Sequence, residues 1–266
     1  MDLGLDGKVA LVTGAHRGTG GGVAHALAAE GATVLVHGHE AGNPDPTVAS
    51  IVAQGGRAVG VVGDIRTEPG TAALVEAVRA ATPRVDIVVN NYGVPEGSTW
   101  PESDTDSWHH SYDRNVVSAV RVTQAFLPDM RAAGWGRVVF VATVGATRPG
   151  DGIPEYYAAK GALPALTVSL AKHLAGTGIT VNCVSPGVIA TAEVVQSATE
   201  RLTRAGATPD EPAVEQEILR RMGNPTGRVP RPEDVGRFVA FVVSEPAWHL
   251  NGAHLRYDGG SAGVVT

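Results

Sequence analysis

Cysteine is almost missing from this chain. Cys183 is the one example in 266 residues, which excludes an internal disulfide and a cysteine metal cluster. Lysine is nearly as scarce, three residues against eighteen arginines, and no block of like charge occurs at a net charge of −6. Nucleic acid and anionic membrane surfaces both need clustered Lys and Arg, so neither is an expected partner. No uninterrupted apolar stretch approaches the roughly 18 residues of a membrane span. The opening MDLGLD lacks the basic start and apolar run of a secretory signal, so a soluble, cytoplasmic protein is expected. Apolar residue is plentiful, 43% against 18% charged, enough for a large buried core. The length suits one large α/β domain or two small ones.

Short β-branched runs alternate with longer Ala-rich segments. VALVT (9–13), TVLVH (33–37), AVGVV (58–62), VDIVVN (85–90), RVVFVAT (137–143) and ITVNCV (179–184) are apolar without alternation, which suits parallel strands buried on both faces. Helical patterns lie between them at 19–30, 44–54, 68–81, 113–133 and 155–175. This rhythm predicts right-handed βαβ units in one doubly wound Rossmann-type domain over 1–266, with helices on both faces. Pro, Gly, Thr and charged residues surround a short helical pattern at 211–222, and the stretch 188–228 reads as a substrate lid.

The junction after the first strand, VALVTGAHRGTG, sets Gly14, Gly18 and Gly20 ahead of a helix. Glycines there let backbone turn sharply and approach a pyrophosphate held at the helix N-terminus. The spacing is G-x-x-x-G-x-G rather than G-x-G-x-x-G, and three glycines alone also make an ordinary tight turn. Gly21 and Gly22 continue the run at a cost of about 1 kcal/mol each inside a helix relative to alanine. Either the helix begins late or close packing needs them.

TGAHRGTG resembles the phosphate-binding turn of the short-chain dehydrogenases/reductases, and the likeness runs the length of the chain. NNYG (90–93), RNVV (114–117), YYAAK (156–160), SPGVIAT (185–191) and NGAHLRYDGG (251–260) follow in the family's order. The resemblance, to 3-oxoacyl-carrier-protein-reductase-like members among others, implies a sheet of about seven parallel strands. It implies an NAD(P)-dependent oxidoreductase acting on CH–OH groups (class 1.1.1.-) through Asn115, Thr143, Tyr156 and Lys160. It places cofactor against Gly14, His16, Arg17, Gly18, Thr19, Gly20, His39, Asp64, Ile65, Asn90, Gly93, Tyr156, Lys160, Pro186, Gly187, Val188 and Thr191. It also implies a homotetramer or homodimer, a small-molecule carbonyl or alcohol substrate, and no metal.

On a helix over 155–175, Tyr156 stands four residues before Lys160 and Tyr157 three, so spacing alone does not choose between them. The family motif matches Tyr156 and leaves Tyr157 as a packing or pocket residue. A free phenol titrates near about 10, and a neighbouring ammonium favours the phenolate, so Lys160 is expected to lower Tyr156 for proton exchange. By resemblance Lys160 also holds the nicotinamide ribose, a pair of contacts that a compact ammonium suits better than a planar guanidinium.

The chain departs from the family at two places. Thr143 stands where a serine is usual; it keeps the hydroxyl and adds a methyl. Tyr92 replaces a small residue beside the cofactor, where its ring either points away or reshapes the pocket. The second strand ends in Gly38 and His39 with no acid before Glu40, so no lone carboxylate repels a 2′-phosphate. Arg17 offers positive charge with His39 as partner, which favours NADP(H), with NAD(H) as the alternative. The substrate wall is expected to be mainly apolar, from Val94, Pro95, Gly145 to Arg148, Ile153 and 188–225, with Arg148 the one candidate for an anionic group. A catalytically silent or regulatory dinucleotide-binding protein is the alternative function.

Overall fold

The computed structural model describes residues 1–264. Seven strands form one wholly parallel sheet: β1 (Val9–Val12), β2 (Thr33–Gly38), β3 (Arg57–Val62), β4 (Ile87–Asn90), β5 (Gly136–Val141), β6 (Ile179–Pro186) and β7 (His254–Tyr257). Their order is β3-β2-β1-β4-β5-β6-β7, so the chain reverses its winding between β1 and β4. A crevice opens beyond the carboxyl ends of the strands at such a switch point.

Successive residues of the inner strands feed two separate cores. Leu11, Leu35, Val88, Val138 and Phe140 pack on one face with Phe126 and Leu163. Their neighbours Val12, Val34, Val36, Val89 and Val139 pack on the other with Val23, Leu27 and Val239. This period of two is why both faces had to be apolar. The edges are different: in β3 Arg57, Val59 and Gly60 are exposed, and every residue of β7 is only partly buried.

The helices are α1 (Gly18–Ala29), α2 (Asp45–Ala53), α3 (Glu68–Ala81), α4 (Thr105–Tyr112), α5 (Ser118–Ala133), α6 (Pro154–His173), α7 (Ala192–Arg204), α8 (Glu211–Arg221) and α9 (Pro232–Val242). The helical pattern at 113–133 proves to be the second half of a longer element. α4 starts on a reciprocal cap, with Ser107 N donating to Asp104 Oδ1 at 2.8 Å, and joins α5 through a π-helical turn at Asp113–Val117. α7 and α9 were not apparent from periodicity.

α1 begins at Gly18, so a late start does not explain its glycines. A Cβ on Gly22 would lie 2.3 Å from the Pro232 carbonyl, and one on Gly236 would lie 2.3 Å from the Gly22 carbonyl. The two helices therefore touch backbone to backbone. The segment over 188–228 folds as α7 and α8 around a small core of its own, Ala198, Val214, Ile218 and Val229. Its two ends meet where Ala190 N donates to Pro230 O at 2.9 Å.

Candidate active site

A groove of about 680 Å³ lies at the carboxyl ends of β1, β4, β5 and β6. Its floor is the first glycine turn. Gly14 and Gly18 hold φ of +62° and +55°, a region that side-chain-bearing residues rarely adopt. A Cβ on Gly20 would stand 2.4 Å from Gly14 O, so only glycine fits where the chain doubles back. Asn91 donates from Nδ2 to Thr13 O at 2.9 Å, and Tyr92 N donates to Thr13 Oγ1 at 3.0 Å. The NNYG stretch is thus fastened to the glycine turn through Asn91, which sequence reasoning passed over for Asn90. Asn90 points into the core instead, donating to Thr123 Oγ1 at 2.9 Å. Two adjacent asparagines were the available signal, since only one of two successive strand residues can face the groove.

His37 braces the same turn from below. Its Nδ1 accepts from Gly14 N at 3.0 Å and its Nε2 donates to Gly63 O at 2.8 Å, an arrangement only the neutral ring satisfies. Burial pushes it down to about 4. The unfolded chain titrates near about 6.5, so between those values it binds a proton that the native state refuses. This contribution is complete above about pH 6.5 and is lost as pH falls toward 4, on the order of 3 kcal/mol for this one group. Urea unfolding at neutral and mildly acid pH should show a shallower acid loss for His37→Gln than for the natural chain.

The other wall comes from β5 and α6. Pro154 sits in the first turn of α6, where its missing N–H is harmless. Tyr156, Lys160 and Thr143 all border the groove. Tyr157 does not: its ring fills space above Gly145, where a Cβ would approach it to 2.3 Å, and beside Gly150. Of the two tyrosines that spacing left open, packing brings Tyr156 to the groove and keeps Tyr157 out of it. Glu155 turns away and accepts from Ser98 Oγ at 3.2 Å and Ser103 Oγ at 2.5 Å, tying the loop after β4 to the head of α6.

The electrostatics of the pair differ from expectation. Lys160 is buried and donates from Nζ to Val141 O at 2.8 Å, and desolvation lowers it to about 8. Tyr156 is pushed up to about 12 by burial, with Tyr157 adding to the rise and the Thr143 hydroxyl pulling the other way. In this state the phenol is held protonated, and the ammonium is engaged with the strand rather than with the phenol. Gly93 is where the parts converge, since a Cβ there would lie 2.6 Å from Lys160 Nζ and 2.9 Å from Asn115 Oδ1. Asn115 itself is buried in the π-helical turn. It accepts from Val94 N at 2.9 Å and donates to Ser111 O at 3.0 Å, so its amide holds the loop after β4 and does not face the groove.

At the far end stand His16, Arg17, Thr19, His39 and Arg66, with Thr191 and Glu193 across from them. Arg17 pairs with Glu193 at 3.2 Å, and Arg66 holds both oxygens of Asp64 at 2.7 and 2.8 Å. Asp64 and the buried Ile65 therefore lie behind Arg66 rather than on the groove wall. Tyr92 is half-buried between the groove and the core, with its Cβ against Gly14. Pro186 and Gly187 border the groove, whereas Val188 faces a neighbouring cavity of about 460 Å³. The expected apolar wall is only partly realised: Val94, Pro95 and Ile189 are present, but Glu96 and Arg114 form an ion pair at the rim. Gly145 to Arg148 and Ile153 stand outside it, and Arg148 donates instead to Ser261 O at 2.7 Å. Glu193 lies within the expected 188–225 wall and Arg114 opens the RNVV motif, whereas Arg66 was not singled out and reaches the groove only through tertiary packing.

Comparison with known proteins gives the same picture from outside. The chain is 36% identical over 98% of both lengths to an uncharacterised oxidoreductase of Bacillus subtilis. It is 31% identical to the 3-oxoacyl-[acyl-carrier-protein] reductase of Pseudomonas aeruginosa over 97% of this chain and 98% of that one. L-sorbose reductase from Gluconobacter frateurii, solved with NADPH and L-sorbose, superposes with a TM-score of 0.92 at 31% identity over the whole of both chains. The short chain dehydrogenase family model matches residues 8–202. With its switch-point groove, glycine turn and seven-stranded parallel sheet, this chain belongs to the short-chain dehydrogenase family and is an oxidoreductase of that kind.

Proposed function

We propose that the protein is an NADP(H)-dependent oxidoreductase that interconverts a carbonyl and a secondary alcohol. The observation that carries this reading is a single groove joining Tyr156, Thr143 and Lys160 at one end to a glycine cradle at the other. The cradle fits a dinucleotide: Gly14 turns at a φ of +62° and Gly20 lets backbone approach to 2.4 Å, a distance no side chain allows, ahead of the α1 N-terminus, where anions are favoured. When bound, the nicotinamide supplies the hydride.

The chain supplies the rest. Tyr156 OH, protonated at neutral pH, donates to the carbonyl oxygen as charge develops there. Thr143 Oγ1, which accepts a 3.3 Å bond from Gly145 N, is free to donate its hydroxyl proton to the same oxygen and fix its position. Lys160 holds a cation at the groove floor beside Gly93, favouring the phenolate as the proton leaves. Asn115 keeps the loop after β4 in register with these groups. We further propose one domain over 1–266, a cytoplasmic homodimer or homotetramer, and a lid made by 188–228.

An NADPH-specific rise in melting temperature, followed by NADPH oxidation against ketones from 3-oxoacyl thioesters to ketoses, tests the reading. Binding without turnover of any ketone or alcohol would favour a silent dinucleotide-binding protein. The hydroxyl role has its own check: Thr143→Ser should stay within about threefold of the natural rate, while Thr143→Ala should fall roughly 10- to 100-fold in kcat, the loss of one well-placed donor. Equal turnover in both variants removes Thr143 from the mechanism.

A further inference from the structure

We infer that a second binding site lies at the amino ends of β5 and β6, built around Arg137, and that it takes a small monocarboxylate with a flat apolar body. A cavity of about 340 Å³ opens there, walled by Trp135, Arg137, Leu174, Ile179, Glu245 and Trp248. The groove lies at the other end of the sheet, roughly 20 Å away along a six-residue strand at about 3.3 Å per residue. None of these six residues borders the groove, and none takes part in the oxidoreductase reading above.

Arg137 is only 3% exposed, and a guanidinium stays charged inside proteins. Its Nη1 donates to Gly136 O at 2.9 Å and to Gly178 O at 3.3 Å. The other edge of the fork is unfilled. Nε is buried with no hydrogen-bond partner among the described residues, and Nη2 stands 3.7 Å from Glu245 Oε2, beyond hydrogen-bond length. Glu245 is half-exposed, and its other oxygen accepts from Trp135 Nε1, so that carboxylate is committed elsewhere. Burial pulls Arg137 below its ordinary value, and Glu245 only opposes it. A buried cation with donors unmet is costly, and such a group in a native fold marks the place of a further partner.

The chemistry of that partner follows from the walls. The Nε–Nη2 edge of an arginine matches the two oxygens of a carboxylate in parallel bonds. Lys8 Nζ lies 3.7 Å and Arg137 Cζ 4.3 Å from the centroid of the Trp135 ring, so one indole carries two cations with Glu245 as the carboxylate beside them. That balance leaves one positive charge to be met, not two. Trp248 is 64% exposed and offers a bare indole to the cavity, while Leu174 and Ile179 add aliphatic wall. These surfaces suit a ring joined to the carboxylate better than a free inorganic anion.

Calorimetric titration of the full chain near neutral pH with benzoate, benzamide and inorganic phosphate tests the site. Benzoate should bind with a Kd on the order of 1 mM, the scale expected of about nine non-hydrogen atoms. Benzamide has the same shape without the charge, and it and phosphate should each bind at least about tenfold more weakly. Trp248→Ala should raise the benzoate Kd about three- to tenfold by removing the bare indole. Glu245→Gln should lower it by about the same factor, because a competing negative charge is gone. Arg137→Lys keeps a cation and loses the fork, and should weaken benzoate about tenfold or more. Trp248 and Glu245 are exposed enough to change without unfolding the chain, so they carry the test should the buried substitution fail to fold. No benzoate binding up to about 20 mM, benzamide or phosphate binding as well as benzoate, or a Kd unchanged in either Trp248→Ala or Glu245→Gln overturns the inference.

Discussion

Tyr156→Phe should cut kcat for carbonyl reduction by about 10²- to 10⁴-fold, the usual weight of a positioned general acid. NADPH affinity should stay within about twofold, because the phenyl ring keeps the volume and loses only the hydroxyl. Such a split, a collapse of kcat without loss of binding, is the signature of a group that acts only as the bond changes. Tyr157→Phe is the natural control. Its ring lies over Gly145 and Gly150 rather than in the groove, so turnover should be nearly unchanged. Steady-state rates alongside direct NADPH titration distinguish the cases. Undiminished turnover in Tyr156→Phe would end the proposed mechanism whatever the fold.

Gly22→Ala should destabilise the protein, and Gly21→Ala, one position earlier, should not. A methyl at Gly22 meets the Pro232 carbonyl at 2.3 Å, and backbone cannot swing aside as a side chain can. Overpacking of this kind costs about 1–3 kcal/mol, or a fall in Tm of roughly 3–10 °C for a chain of this size. At Gly21 the nearest atoms to a new methyl are 3.6 and 3.9 Å away, ordinary contact. There the change to alanine should raise stability by up to about 1 kcal/mol, since glycine is a poor helix former. Thermal melts of the two variants read the difference directly. A stable Gly22→Ala protein would mean that α1 and α9 part easily.

This pair of glycines also marks where the sequence stopped informing. Runs such as VALVT and TVLVH declared buried parallel strands because both their faces had to be apolar, and six of the seven strands were found from that alone. The same rule overstated β3, whose outer residues face solvent at the sheet edge. Helices α7 and α9 escaped notice, and so did α4, whose eight residues are TDSWHHSY, too polar for a periodic apolar stripe. Its Asp104 cap was written in the sequence and was the better signal. The glycine turn, Tyr156 and Lys160, singled out in the sequence by residue type and spacing, come together in one groove. Arg66 was not singled out, for it reaches the groove only after distant segments fold together. Nor could spacing say that Lys160 would turn its ammonium to Val141 O, since that depends on which acceptor burial leaves nearest.

The bond from Ala190 N to Pro230 O closes the stretch between them into a self-contained excursion with its own apolar heart. A loop whose two feet stand side by side can be lengthened, shortened or exchanged without shifting any strand against its neighbour. Thr143 and the glycine turn hang from the sheet's junctions and Tyr156 and Lys160 from α6, while Thr191 and Glu193 reach the groove from the excursion itself. Exchanging the excursion would therefore remake the Thr191 and Glu193 side of the groove while leaving Thr143, Tyr156 and Lys160 where they stand.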